Sequence, residues 1–219
     1  MSSLDRRTAL KALAGAVAAL SVSRFPSVTS PAGMTEGLGS WTVLTLEAFA
    51  DTQIPGERRF AGDAAVAGAV SGPGAVQAGV IKTLASDELR LAPLLPEIAA
   101  LLNARALAYA TAHLILLPIT FPPFVGLPFQ HRTALVGDLL GHENPDRSIW
   151  QMISLLTSLA FDTAAHIDTR QAVTTHHPGL TWLGFPPPGP DGLWRFTDYS
   201  YGKALAALHP ATTASGSPA

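Results

Sequence analysis

The sequence contains no cysteine, and this absence excludes several classes of protein. A chain without thiols forms no disulfide bonds, thiolate zinc sites, cysteine-ligated iron–sulfur clusters or covalently attached haem, and it has no thiol nucleophile. The chain also carries little charge: 14% of its 219 residues are charged, where soluble proteins have about a quarter. So few charges indicate either membrane contact or a surface that a partner covers.

Positive charge is not in excess either. The chain has 14 lysines and arginines against 16 aspartates and glutamates, which gives a formal net charge of -2 at pH 7. A basic surface for a phosphate backbone is therefore missing, and we expect no nucleic-acid partner. Hydrophobic residues make up 47% of the chain, which is enough for a globular domain with a sizeable core.

The N-terminal segment, residues 1–32, differs from the rest of the chain. Basic residues stand close to its start, eleven uncharged residues follow at 12–22, and small residues and prolines dominate the remainder. A basic head, a short apolar run and a tail of small residues are typical of a secretion signal. Adjacent arginines ahead of a leucine and a lysine resemble the twin-arginine type, which carries folded proteins across the bacterial cytoplasmic membrane. The residues of this motif are Arg6, Arg7, Leu10 and Lys11.

The sequence therefore predicts export to the periplasm or the extracellular space, with the twin-arginine translocase as one partner. A membrane-spanning helix needs about 20 apolar residues, and the run over residues 9–22 is shorter. We expect membrane contact only through the signal. A signal that is retained as an anchor stays an alternative.

Residues 33–209 predict an all-α domain: a small irregular helical bundle with long Pro/Gly-rich loops and an extended aromatic C-terminal arm. Apolar residues recur three and four positions apart, and no alternating pattern of useful length indicates a strand. We expect helices from Thr42 or Thr45 to a point before Pro55, and over about 73–86, 93–117, 128–140 and 145–167. The final residues, 210–219, have nothing to bury and predict a disordered tail.

Two segments carry more specific expectations. The third helix is apolar all round after Leu107, which predicts that it is the central core helix. The following segment, 118–128, is too rich in proline for a helix or a paired strand and predicts a bent loop. Its apolar anchors are Phe121, Phe124 and Val125, and the two phenylalanines are candidates for binding a partner.

The sequence holds no recognisable catalytic or metal-binding constellation. A nucleophile elbow and a phosphate-binding glycine loop are both missing. Among the seven histidines, no pair has the helical spacing that places two metal ligands on one face. The nearest approach to a site is His166 and Asp168, followed by His176 and His177. We expect surface or capping roles for these residues, and a secreted enzyme with an unrecognised site at His176 or His177 stays an alternative.

The segment 178–202 combines stiff prolines with large aromatic rings. Such rings lose little conformational entropy on docking, which is typical of a binding surface. The same segment is also suited to wrap its own helical core, and the two interpretations are compatible. Its aromatic residues are Trp182, Phe185, Trp194, Phe196, Tyr199 and Tyr201.

One short motif allows a comparison with a known family. The sequence Ala-Asp-Thr-Gln-Ile-Pro-Gly at 50–56, the twin-arginine-like signal and a Gly/Ala-rich stretch at 75–80 together resemble the gluconate 2-dehydrogenase subunit 3 family. The resemblance implies a small, helical, non-catalytic subunit that is secreted beside a flavin-containing dehydrogenase. It also implies that the motif is structural, closing the first helix and setting the turn after it. The matching residues are Asp51, Thr52, Ile54, Pro55 and Gly56.

The resemblance further implies how such a subunit works. Its signal carries a folded, signal-less catalytic partner across the membrane, and the flavin is bound by the partner and not by this chain. The arm around Trp194 and Tyr199 departs from the family's usual ending and indicates a divergent member. A partner oxidoreductase other than a sugar dehydrogenase is therefore one alternative. A third hypothesis is an envelope-associated, lipid-binding protein that uses Phe121, Phe124 and the aromatic arm.

Overall fold

Helices build the part of the chain that the structure describes. The computed structural model describes residues 39–190, and no strand occurs among them. The described residues up to Phe185 belong to one compact unit, and those from Pro186 to a second. The helices are α1 (Ser40–Gln53), α2 (Val80–Leu84), α3 (Leu95–Ala112, entered through a 3₁₀-helix at Ala92–Leu94), α4 (Pro123–Gly126), α5 (Phe129–Leu140), α6 (Arg147–Thr163), α7 (Thr169–Thr174) and α8 (Pro178–Trp182). The prediction of an all-α fold is confirmed.

Helix α1 lies at the centre of the bundle. It packs against α2, α3, α4, α5 and α6, and seven consecutive residues from Thr45 to Asp51 are buried. A helix that buries all its faces needs neighbours on every side, and α1 has them. It begins earlier than either predicted cap, at Ser40, and the Thr45 hydroxyl donates to the Trp41 carbonyl at 2.7 Å. It ends before Pro55, as the proline predicts.

The prediction that α3 is the central helix is wrong. One stripe of α3 is buried, and it consists of Leu95, Ile98, Ala99, Leu102, Ala106 and Ala110. The next position round the helix from Ala106, Leu107, is 55% exposed. An apolar composition on all sides therefore did not mean burial on all sides, because α3 packs on the flank of α1. The helix also ends at Ala112, before the predicted residue 117.

Helix α2 is shorter than its predicted range of 73–86. Residues 75–79 form turns, and Gly79 has a positive φ of 82°, which breaks the helical path just before Val80. The reason lies upstream, where Gly74 fits tightly against the backbone at Ile54: a Cβ on Gly74 would lie 2.5 Å from the Ile54 carbonyl oxygen. This close approach fixes residues 74–79 in a turn and delays the helix.

The ends of helices α5 and α6 agree only in part with those predicted from the local sequence. Helix α5 ends at Leu140 and is followed by Gly141, as predicted. Helix α6 begins at Arg147, after the predicted start at Pro145, because Asn144 Oδ1 accepts from the Asp146 N–H at 3.1 Å and forms a turn ahead of the helix. The helix ends at Thr163, before the predicted residue 167, since the chain turns into the left-handed region at Ala164.

Three large aromatic side chains form the middle of the core. The ring of Phe49 lies 5.8 Å from that of Trp150 and 6.4 Å from that of Phe124, centroid to centroid. All three side chains are buried. The predicted loop at 118–128 thus contains a helical turn, α4, which carries Phe124 into the core. Within residues 39–190, no helix is both long enough and apolar enough to cross a bilayer.

Phe121 and Phe124 provide a test of this packing. We expect Phe124→Ala to lower the free energy of unfolding by about 3–5 kcal/mol, because it removes a buried ring and leaves a cavity. Phe121→Ala is the matched control and should cost about 1 kcal/mol or less, since Phe121 remains 37% exposed. Urea unfolding of both variants measures the difference, and similar losses for the two would contradict this assignment of the core.

Candidate functional site

The carboxylate of Asp51 lies buried at the end of α1 and binds two backbone segments. Its Oδ1 accepts from the Gly56 N–H at 3.1 Å, and its Oδ2 accepts from the Ala67 N–H at 2.8 Å. Burial raises the pKa of Asp51, and the two N–H donors and the charge of Arg132 partly oppose this shift. Asp51 therefore closes the turn after α1 and fixes the long loop at Ala67.

The rest of the motif packs backbone against backbone. The Ala75 N–H donates to the Ile54 carbonyl at 3.0 Å, and the Glu57 N–H donates to the Gly72 carbonyl at 2.8 Å. A Cβ on Gly56 would lie 2.6 Å from the Gly74 nitrogen, so only glycine fits at Gly56. Pro55 has no N–H to satisfy in this narrow space. The Thr52 hydroxyl donates to the Ala48 carbonyl inside α1 at 2.7 Å.

A second buried charge, Arg132 on α5, lies close to Asp51. Its guanidinium donates to four backbone carbonyls: Ala64 and Ala65 at 3.0 Å each, Leu127 at 2.9 Å, and Val125. Burial lowers the pKa of Arg132, and the charge of Asp51 opposes that shift. The planar guanidinium group carries five N–H donors, so it can donate hydrogen bonds to several carbonyl oxygens at once. Arg132 thus joins the loop before α2 to the segment around α4.

A second arginine, Arg59, neutralises two buried acids. Both terminal nitrogens of Arg59 donate to Glu47 at 2.8 Å, and its Nε donates to Asp63 at 2.7 Å. Burial alone would raise the pKa of Asp63, but the hydrogen bonds from Arg59 and from the Val66 N–H lower it on balance. The hydrogen bonds to Asp63 and then Glu47 raise the pKa of Arg59. The loop that begins after α1 is therefore held by charge as well as by packing.

These arginines were not identified from the sequence. Arg132 had a usable signal, because it stands three, four and seven positions before Leu135, Val136 and Leu139, which are the buried residues of α5. A charge on the core-facing stripe of a helix indicates a buried hydrogen-bonding role. Arg59 had no such signal, since its partners become neighbours only after the loop has folded.

A groove opens between the loop at 58–67 and the segment at 118–129. Its volume is about 340 Å³. Its walls are largely apolar and include Phe121, Val125 and Phe129, while Asp63 and Arg132 in the same wall are already hydrogen-bonded within the chain. Arg58 is exposed at this groove and forms no ion pair with any residue in the range 39–190. The groove can take an apolar group that carries a negative charge at its edge.

The predicted partner-binding aromatics fall into different environments. Phe121 lines the groove and is partly exposed, whereas Phe124 is fully buried, so its ring is not available to a partner. Trp182 is 62% exposed and lies across Gly72, whose Cβ would meet the indole at 2.8 Å. Phe185 is half-buried and packs against the small cluster formed around Leu180. Outside the described residues lie Trp194, Phe196, Tyr199 and Tyr201, and also Arg6, Arg7, Leu10 and Lys11.

The histidine and aspartate candidates act mainly as caps and crosslinks. Asp168 Oδ1 accepts from the N–H groups of Arg170 and Gln171 at the start of α7. His177 is buried; its Nδ1 accepts from the Leu180 N–H at 3.5 Å, so its Nε2 donates to the Ala78 carbonyl at 2.9 Å. His176 is exposed and has a positive φ of 52°. In the described part of the chain, no three metal-binding side chains come together.

His166 is the remaining histidine candidate, and its ring lies near that of His177. Its Nδ1 lies 3.0 Å from the hydroxyl of Thr83, and its ring lies 5.8 Å from that of His177, centroid to centroid. Burial lowers the pKa of His166, and the nearby His177 and Lys82 lower it further. Folding therefore favours the neutral form of the His166 imidazole over the protonated form.

Arg132 generates the first prediction for this region. We expect Arg132→Lys to lower the free energy of unfolding by about 1–3 kcal/mol, because a compact ammonium group cannot reach all four carbonyls and leaves buried acceptors unpaired. Arg105→Lys is the control, since Arg105 is an exposed residue that pairs with Asp146, and it should cost about 0.5 kcal/mol or less. Urea unfolding gives both values, and an equal cost for the two substitutions would show that the four-carbonyl network does not hold the loops.

His166 generates a prediction about pH. In the unfolded chain it takes up a proton as the pH falls past 6.5, whereas the folded state resists protonation until a lower pH. Above pH 6.5 the protonation of His166 therefore does not reduce the free energy of unfolding. This free energy decreases as the pH falls from 6.5 toward the pKa of His166 in the folded state. We expect urea unfolding to show a smaller loss of stability between about pH 7.5 and pH 5.5 in His166→Gln than in the wild type.

The control for this pH experiment is His142→Gln, which alters an exposed histidine in the loop after α5. It should leave the pH dependence of the wild type in place. If His166→Gln and the wild type lose the same stability over this pH range, His166 is not the group responsible.

Comparison with known proteins gives one family. No curated protein and no solved structure matches the chain. Residues 40–219 match the model of a family of unknown function, DUF5987, and this match covers all of α1 to α8. The chain therefore belongs to the DUF5987 family of unknown function.

Proposed function

We propose that the chain is a non-catalytic accessory subunit that binds a folded flavin-dependent oxidoreductase of the dehydrogenase type. The subunit escorts this partner through the twin-arginine route to the periplasm or the extracellular space. Two features of the sequence support the proposal: the twin arginines Arg6 and Arg7, and the motif at 50–56 with its resemblance to gluconate 2-dehydrogenase subunit 3. The flavin belongs to the partner, and the substrate is the partner's own.

The way Asp51 is used carries this proposal. A catalytic carboxylate has an oxygen within reach of the substrate, but both oxygens of Asp51 accept hydrogen bonds from the chain's own backbone, at Gly56 and Ala67. The side chain is buried. The motif at 50–56 thus has a structural role in the turn after α1, as expected for a subunit without catalytic activity of its own.

Exposed aromatic residues supply a surface for the partner. Aromatic rings are enriched among the residues that contribute most to protein–protein binding. Trp182 projects into solvent while one edge of its ring rests on Gly72, so it is held in place with most of its surface free. Phe121 lies at the groove and offers a second ring. A ring that is held in place before a partner arrives lowers the entropic cost of docking, as the contact of Trp182 with Gly72 does.

The alternative of a secreted enzyme that uses His176 or His177 has less support, since it loses one of its two candidate residues. Both ring nitrogens of His177 form hydrogen bonds, one to the Ala78 carbonyl and one from the Leu180 N–H. A general base needs one free nitrogen that a substrate can reach. His177 is also buried between these partners.

Export of the partner tests the proposal. The full chain is co-expressed with the flavin-dependent oxidoreductase that the proposal assigns to it as partner, and dye-linked oxidoreductase activity is measured in the cytoplasmic and exported fractions. We expect Arg6→Lys together with Arg7→Lys to retain the enzyme activity in the cytoplasm, because both arginines are read by the translocase. The two proteins should still co-purify from the cytoplasm, since the substitutions leave the folded domain unchanged.

A matched control is Arg90→Lys together with Arg105→Lys, which makes the same chemical change at two exposed arginines of the folded domain. This variant should export the enzyme normally. Normal export of the oxidoreductase by the Arg6→Lys, Arg7→Lys variant, or failure of the two wild-type proteins to co-purify, would refute the escort function.

A further inference from the structure

The loop between α3 and α4 exposes three aliphatic side chains almost completely. Leu114, Leu116 and Ile119 are 92%, 96% and 95% exposed. We call residues 113–121 the apolar loop. Single exposed apolar residues are common on protein surfaces, but a group of them on one short loop indicates a surface that contacts something else.

The apolar loop is held in place from the inside. Ile115 and Leu117 pack against the hydrophobic core, so the side chains on either side of them point away from it. The Ile115 N–H donates to the Ala110 carbonyl at 2.8 Å. Pro118 lies so close to Gly126 that a Cβ there would meet the proline ring at 2.9 Å. The loop is therefore anchored at both ends and presents its outer side chains without further ordering.

Acidic residues are missing from the sequence on either side of this loop. The sequence has no aspartate or glutamate from residue 98 to residue 137, which covers most of α3, all of α4 and most of α5. Phe121 and Pro118 share the groove with Arg58, which has no acidic partner among the described residues. Asp63, in the same groove, is buried and bound by Arg59. The surroundings of the loop thus suit an anionic surface.

We propose that the apolar loop inserts into an anionic lipid surface, with Leu114, Leu116 and Ile119 among the acyl chains and Arg58 at the lipid phosphates. The composition favours lipid over protein, because the residues that dominate protein interfaces are Trp, Tyr and Arg, and Leu is under-represented there. Leucine and isoleucine are among the side chains that enter hydrocarbon most readily. A fluid bilayer also needs no concave partner surface to receive a protruding loop.

Site-specific fluorescence tests this insertion. The chain has no cysteine, so the full-length variant Ile119→Cys can be labelled at that position alone with an environment-sensitive dye. On addition of vesicles of phosphatidylcholine and phosphatidylglycerol, we expect the emission of the dye to shift to shorter wavelength. The matched control is Leu155→Cys, at an exposed position of α6, and its emission should stay unchanged. Because the dye reports only its own surroundings, other lipid contacts of the chain do not affect the result.

The contribution of the loop to binding is measured by sedimentation of full-length variants with the same vesicles. We expect Ile119→Asp to weaken partition about tenfold, because one aliphatic side chain no longer leaves water and a negative charge replaces it. Leu155→Asp should partition like the wild type. Because the side chain of Ile119 is almost fully exposed, the substitution leaves the fold intact, and circular dichroism verifies this.

Arg58 is tested by changing the lipid. Arg58→Glu should weaken binding to vesicles that contain phosphatidylglycerol and have a smaller effect with phosphatidylcholine alone, since the anionic headgroup is what it binds. Lys82→Glu makes the same change of charge on α2 and should have no such lipid dependence. Equal effects of both substitutions with both vesicle types would show that overall charge, and not Arg58, accounts for the attraction.

Three results would overturn the proposal. One is an unchanged emission of the dye at position 119 in the presence of vesicles. Another is a dimer in light scattering that Ile119→Asp dissociates, which would assign the loop to a second copy of the chain. The third is release of the co-expressed oxidoreductase by Ile119→Asp without any change in vesicle binding, which would assign the loop to that protein. The vesicle experiments contain no oxidoreductase, so their failure leaves the escort function standing.

Discussion

The hydrogen bonds from Arg132 to four carbonyl oxygens hold together the parts of the chain that helices alone do not. These carbonyls belong to the loop after α1 and to the segment around α4, and both segments lack the regular hydrogen bonding of a long helix. A buried carbonyl without a donor costs free energy, and a buried guanidinium without acceptors costs more. Each therefore requires the other, and this mutual requirement fixes where the two loops meet and where the groove opens.

Asp51 and Arg59 extend the same arrangement around α1. Asp51 binds the backbone at both ends of the loop, at Gly56 and Ala67, and Arg59 returns from the loop to Glu47 on α1. A small chain without disulfides has to hold a long loop by hydrogen bonds and packing. Asp51 lies in the motif at 50–56, where an acid, a proline and a glycine together form the turn after α1. The motif is a joint between helix and loop.

The surface follows from the way this scaffold is anchored. Ile115 and Leu117 pack inward, and the residues between and beside them are forced outward with nothing from residues 39–190 to cover them. Trp182 is placed outward in a similar way by its rest on Gly72. Large apolar side chains are therefore exposed at particular places on the described surface, namely at the apolar loop and at Trp182. In the proposals made above, the ring of Trp182 binds the partner and the apolar loop contacts lipid.

The sequence by itself determined the helical class and the end of α1 before Pro55, because a proline constrains the local backbone. The sequence also distinguished the signal-like segment at 1–32 and the motif at 50–56 from the rest of the chain. It did not distinguish Phe121 from Phe124, or Ile119 from Ile115, since composition is the same and only packing decides which side faces the core. Arg132 binds carbonyls 67 and 68 residues earlier. Only the tertiary structure decided such pairs, because the partner of a buried polar group is set by the distant segment that folds against it.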